Sequence, residues 1–257
     1  MKKKKTERFL TIVTVVGVLF FWIGITATGY FSETIIPSPQ SVWESFLEVS
    51  QNGYKGHTLL EHLGTSMQRL IIAYLLVVVT AVPLGLLSGY TSKVRAILEP
   101  LVEFYRPLPP LAYYTILVLW MGIDESSKLA LLYLAGFSPV YISCVAGVLR
   151  INEDYINGAK TLGATKTQIF FYVILPAALT DIFTGLRTAL GVEYTTLVAA
   201  EMVAATAGLG WLVLDASNYL RSDVVFMGVI IMGITGVLLD WMVRLLEEKI
   251  VHWKGKD

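Results

Sequence analysis

The sequence predicts an all-α membrane protein of six transmembrane helices with both termini on the cytoplasmic side. Three observations predict it. Hydrophobic residues make up 55% of the 257-residue chain and charged residues only 16%, with a mean hydropathy of +0.64, a balance typical of chains that cross lipid. Apolar runs recur at lengths near the ~20 residues that span a bilayer core. Sixteen of the twenty Lys and Arg residues fall in segments on the same side as the two termini, leaving Lys55, Arg69, Lys128 and Arg221 on the other; cation-rich short loops stay in the cytoplasm. The formal net charge is zero, which gives no reason to invoke nucleic acid.

The expected organisation is a basic cytoplasmic tail over 1–8, a transmembrane domain over 9–248 and a second cytoplasmic tail over 249–257, with spans at about 9–30, 69–91, 107–122, 128–149, 185–205 and 224–245. Lys2, Lys3, Lys4 and Lys5 precede the first span as they would a secretory signal. The run is longer than the ~7–15 residues of a signal core and lacks its small-residue cleavage site, so an uncleaved anchor is expected. Between the first two spans, Ser38 caps a helix with Pro39 at its first position, and Val42, Phe46 and Val49 repeat at i, i+4, i+7. That describes a surface helix, or one bordering the landing site of a delivery protein.

A mixed helix over 93–104 follows the second span and runs into Tyr105-Arg106-Pro107-Leu108-Pro109-Pro110. Prolines at this density end a regular helix; they either start the third span or line a pathway, where broken backbone survives at membrane depth. Asp124 is a candidate N-cap for the fourth span, and Ser138-Pro139 places a break inside it. The fifth span carries Glu193, Tyr194, Thr195, Thr196 and Glu201. Carboxylates within a bilayer usually face the bundle interior or a wet cavity, which makes these residues pathway candidates. Gly208-Leu209-Gly210 suggests a turn into a short outer or re-entrant helix, and Asp240 with Arg244 forms an i, i+4 pair in the sixth span.

The cytoplasmic loop over 150–181 carries the most local information. Asn152 caps a short helix, Glu153 and Asp154 suit the positive end of its dipole, and Gly163 takes the left-handed conformation that stops it. Tyr155, Ala159 and Leu162 share a face, apolar enough for a partner or for the chain's own core. Thr165 and Gln168 then spell a capping box for a second helix leading to Pro176.

No catalytic constellation is present. Cys144 is the only cysteine, His57, His62 and His252 form no ligand set, and no metal is assigned. The only Gly-Lys pair, Gly255-Lys256, is followed by Asp257 and preceded by no phosphate-loop glycine at the required spacing. This chain is therefore not expected to be an ATPase, and any ATP hydrolysis would belong to another polypeptide.

The loop resembles the signature of binding-protein-dependent ABC importer permeases: Glu-Ala-Ala, three residues, Gly, nine residues, Ile, one residue, Leu-Pro. Ala159, Gly163, Val173, Leu175 and Pro176 match that spacing, while Asn157 and Gly158 stand where the motif has Glu and its first Ala. Ile36-Pro37-Ser38-Pro39, Tyr105 to Ala112, Trp120-Met121-Gly122-Ile123 and Leu197-Val198-Ala199-Ala200-Glu201 extend the likeness to the nitrate, sulfonate and taurine branch. Within it, the Tyr-Arg-Pro-x-Pro-Pro run and Ser222-Asp223-Val224-Val225 look closest to taurine permeases.

The resemblance implies a type I importer (MetI-like) fold in a prokaryotic inner membrane. It also implies a homodimer, two ATPase subunits carrying ATP and Mg, an extracytoplasmic substrate-binding protein, and import of a small sulfonate by alternating access. Its coupling residues would be Asn157, Gly158, Ala159, Lys160, Leu162, Gly163, Ala164, Leu175 and Pro176. Taurine is zwitterionic, so Glu193 would meet its ammonium while donors near Thr195 and Thr196 meet its sulfonate; the other reading gives Glu193 an interhelical or dimer-interface bond. Aliphatic sulfonates, nitrate or bicarbonate are alternative cargoes. An ion-coupled secondary transporter would be expected to show an internal repeat, and none is evident; a membrane-embedded enzyme would need a catalytic set on facing spans.

Overall fold

The computed structural model describes residues 2–253, and the described residues are helical with short connections. Contacts divide the chain into two units, Met1–Gly64 with Ala207–Gly233, and Thr65–Thr206 with Ile234–Asp257. In chain order the helices are α1 (Lys2–Ala27), α2 (Pro39–Gln51), α3 (Leu59–Tyr90), α4 (Ser92–Tyr105), α5 (Pro110–Met121), α6 (Glu125–Leu149), α7 (Glu153–Thr161), α8 (Lys166–Ile169), a π-helical turn over Phe170–Ile174, α9 (Leu175–Ala204), α10 (Leu209–Asn218) and α11 (Ser222–Ile250). Among the described residues, five stretches are long and apolar enough to cross a membrane: Phe9–Ala27, Leu59–Tyr90, Glu125–Leu149, Lys166–Ala204 and Ser222–Ile250. The apolar α5 has 12 residues, about 18 Å of helix against a bilayer core of about 30 Å.

In the first unit, α1 exposes Phe9, Phe20 and Phe21, as a lipid-facing helix does. Its Trp22 donates Nε1–H to the Pro37 carbonyl at 3.0 Å and stacks on Phe226. Ser38 caps α2 by accepting from Ser41 N, with Pro39 at the start. The expected stripe turns Val42 and Val49 into a small core with Leu59, Leu209, Leu212 and Met227. Arg221 ties Glu48 and Asp223 together at 2.9 and 3.0 Å, and Asp223 also accepts from Ser45 at 2.6 Å. Tyr54 donates to Asp215 at 2.9 Å; burial first, then that bond and the carboxylate charge, push the phenol above its usual range.

The second unit is built on α6 packed against α9. Small residues let helices approach closely within it. A Cβ at Gly85 would lie 2.6 Å from Cys144 Cβ, and one at Gly89 would lie 2.5 Å from Val148 Cβ. Leu131, Leu132, Val140 and Cys144 of α6 share a buried core with Ala178, Ile182, Ala189 and Leu197 of α9.

Several helix limits differ from the apolar runs. The second span was placed at 69, yet α3 begins at Leu59, because Leu59, His62 and Ser66 turn inward and continue the helix through a segment of mixed hydropathy. The fifth span was placed at 185 and the loop over 150–181, yet α9 starts at Leu175, directly after the π turn and with Pro176 in its first turn. The third was placed at 107, yet α5 starts at Pro110, since Pro109 is extended (φ −57°, ψ 130°). Ser138-Pro139 does not end α6, which continues through it. Asp124 sits at the N-cap of α6 without a side-chain capping bond; its carbonyl accepts from Ser127 Oγ at 2.9 Å instead.

Candidate functional site

The segment around α7 is held by backbone and capping bonds. Asn152 Oδ1 accepts from Asp154 N at 2.9 Å, and Glu153 and Asp154 occupy the first turn. At the other end Gly163 adopts φ +81°. Its N–H donates to the Lys160 carbonyl at 2.9 Å while Ala164 N–H donates to the Ala159 carbonyl at 3.0 Å, the paired bonds of a Schellman stop. One residue on, Thr165 N donates to Gln168 Oε1 at 2.8 Å and Gln168 N to Thr165 Oγ1 at 3.3 Å, completing the expected capping box. Two helices thus meet at a corner with little free backbone. In the motif's Glu position, Asn157 accepts from Lys160 Nζ at 3.4 Å.

What α7 lacks is a core of its own on its outer face. Tyr155 is 70% and Leu162 89% exposed, while Ile156 and Ala159 pack inward. The expected apolar face is therefore split, with only Ala159 of the three turned towards the chain. At the ends of α8 and of the π turn, Ile169 and Ile174 are buried anchors. Pro176 has no N–H to give the Tyr172 carbonyl, and the ladder there widens to a π turn in which Leu175 N–H bonds the Phe170 carbonyl. The Leu-Pro pair thus marks where the cytoplasmic segment joins α9.

The pathway candidates separate into three places. Tyr105, Arg106 and Pro110 line a pocket of about 320 Å³ together with Tyr113, Ser138 and Pro139; Pro109 sits at the α5 N-cap instead. Glu201 is fully buried, accepting from Arg69 Nη1 at 2.8 Å and from Ser66 Oγ at 2.8 and 2.9 Å. Arg69 also forks onto Glu125, at 2.5 Å from Nε and 2.7 Å from Nη2, and Lys128 joins Glu125 at 3.1 Å.

Glu193 is fully buried, and neither carboxylate oxygen finds a hydrogen-bond partner among the described residues. It lies so close to Gly136 of α6 that a Cβ there would fall 1.8 Å from Oε1. Tyr194 packs near Gly236, Thr195 is exposed and donates back to the Val192 carbonyl at 2.9 Å, and Thr196 is buried. Glu193 and the two threonines therefore do not converge on one opening. Sequence reasoning missed the partnership of Arg69 and Glu125, and that Arg187 joins the Asp240–Arg244 pair at 3.1 Å. An arginine leading an apolar run was the available signal for the first.

The model of the family described as "binding-protein-dependent transport system inner membrane component" matches residues 81–252. The chain is 41% identical over 248 residues to the taurine transport system permease protein TauC of Escherichia coli (strain K12), covering 96% of this chain and 90% of that protein. It is 33% identical over 238 residues to the putative aliphatic sulfonates transport permease protein SsuC of Bacillus subtilis (strain 168), covering 93% and 85%. With the nitrate import permease protein NrtB of Leptolyngbya laminosa it shares 30% identity over 216 residues, covering 82% and 77%. A multi-pass chain with these matches belongs to the binding-protein-dependent transport system inner-membrane components, the permeases of ABC importers.

Proposed function

We propose that this chain is the permease of an ATP-driven importer of a small sulfonate, taurine first among the candidates, and that α7 receives the push of the ATPase. The observation that carries the cargo is the likeness itself: 41% identity to a taurine permease against 33% to an aliphatic-sulfonate permease. Aliphatic sulfonates are the second reading, since those relatives match nearly as much of the chain. In this account the chain crosses the membrane six times with both ends inside, α5 serving as the third and shortest crossing. Two copies pair, two ATPase subunits bind beneath, and a substrate-binding protein delivers from outside.

The coupling role rests on Asn157 to Ala164 together with Leu175 and Pro176. A helix stopped at both ends by capping bonds transmits displacement instead of absorbing it, and Leu162 offers an uncovered apolar side chain to a partner. ATP binding would draw two such helices together and bias the permease towards its outward-open state; hydrolysis would reset it. Solute uptake into vesicles holding the permease, its ATPase and its binding protein tests the cargo. Taurine is expected to accumulate only with ATP, and preference for an alkanesulfonate or nitrate would reassign the substrate.

A further inference from the structure

Arg106 stands apart from the other arginines whose side chains are described. Arg69, Arg95, Arg150, Arg187, Arg221 and Arg244 each lie within 4.0 Å of a carboxylate oxygen. Arg106 forms no such pair among the described residues, although Glu103 precedes it by three positions. Arg106 instead lines the pocket of about 320 Å³ described above, where it is the only charged residue, and it also borders a neighbouring pocket of about 250 Å³ that carries Glu99 and Glu103. The size lies at the lower edge of the roughly 300–1,000 Å³ usual for small-molecule sites. The walls come from the α4–α5 corner, from the middle of α6 and from Val192 in the middle of α9, so the pocket lies beside two long apolar helices.

The wall contributed by α6 has acceptor character. Ala135, Ser138 and Pro139 all line the pocket, and Pro139 has no N–H to offer the Ala135 carbonyl four residues back. A cation, a carbonyl and a hydroxyl among the residues around one pocket together complement a short zwitterion. The partly enclosed setting makes the charge term worth more than it would be in open water.

Resting on the taurine reading, we propose that this pocket is a weak cargo site within the permease: Arg106 holds the anionic head, and the Ala135 carbonyl with Ser138 receives the ammonium. Glu193 is left out of the site, since it is turned to Gly136. Cargo released by the delivery protein would pause here, held by one charge and a few polar contacts and so free to leave.

Thiol labelling of the full-length chain in lipid nanodiscs tests it. Leu108→Cys places a reporter at the pocket and leaves Arg106, Ala135 and Ser138 in place, and the native Cys144 is buried, so the unsubstituted chain serves as the blank. A sulfonate-bearing methanethiosulfonate is expected to react about tenfold faster than its trimethylammonium counterpart, relative to their rates with a free thiol, from the attraction of one nearby cation. Adding Arg106→Gln should bring the ratio to about one, and Arg106→Lys should keep most of it. Taurine should slow labelling at lower concentration than ethanesulfonate, which lacks the ammonium.

An unchanged ratio in the Arg106→Gln chain, or no labelling by either reagent, overturns the site. Equal protection by ethanesulfonate overturns the ammonium contact. A sulfonate preference that depends on Arg106, with no protection by taurine, would leave the anion site standing and remove the taurine reading on which it was built.

Discussion

Glu201→Ala is expected to be among the most destabilising single changes in this chain. The substitution removes the acceptor of Arg69 Nη1 at 2.8 Å and of Ser66 Oγ at 2.8 and 2.9 Å. Glu201 is 0% and Arg69 5% exposed, so water does not compensate, and breaking one partner of such a pair costs about 3–5 kcal/mol. Arg69 keeps Glu125 through Nε at 2.5 Å and Nη2 at 2.7 Å, which places the loss near the lower end, about 3 kcal/mol. For a chain of this size about 2–4 °C is lost per kcal/mol, so the melting temperature in detergent should fall by about 6–12 °C. Glu201→Gln keeps the volume and an acceptor and should cost about 1 kcal/mol. In a double-mutant cycle, Arg69→Met with Glu201→Met should be milder than the sum of the singles by more than about 1 kcal/mol. A Glu201→Ala chain melting within 2 °C of the parent, or additive singles, would refute the view of this cluster as a mutually dependent buried network.

Gly136→Ala should destabilise by about 1–3 kcal/mol, because its Cβ would fall 1.8 Å from Glu193 Oε1; adding Glu193→Ala should restore most of the melting temperature, and no restoration would mean the collision is not the cause. Gly163→Ala meets no atom within 4 Å but must hold φ +81°, so it should cost about 1–2 kcal/mol of local order and loosen the α7 corner. Faster amide exchange at Gln168, with the global melting point little changed, would mark that loosening.

The parts that could be read from the sequence are those governed by neighbours in the chain. Asn152, Gly163 and the Thr165–Gln168 box each fix a helix end by bonds reaching two to five residues, and all three stand as expected. So do Ser38 and Pro39 at the start of α2. Helix limits were harder, because hydropathy reports what faces lipid whereas the hydrogen-bond ladder continues regardless; α3 gained its first turns from residues of mixed polarity. Hydropathy also counted Arg69 as a solvent-side cation. Its partners lie 56 and 132 positions away, and only the packing of three helices brings them together. A buried carboxylate at 193 was foreseeable from its apolar surroundings, but its direction depends on which α6 residue lacks a side chain. Similarly, the proline run announced an interruption, while the pocket beside it needed Ser138 and Pro139 from another helix.

The claim on which the rest depends is that α7 carries force from an ATP-hydrolysing partner, and Leu162 tests it most directly. Its side chain is 89% exposed, so a photoreactive phenylalanine analogue fits there without disturbing the fold. In the assembled transporter, illumination is expected to join this position to the ATPase subunit, with a yield that changes when ATP is bound. An adduct to the binding protein, or labelling of position 162 by a reagent confined to the exterior, would contradict the account.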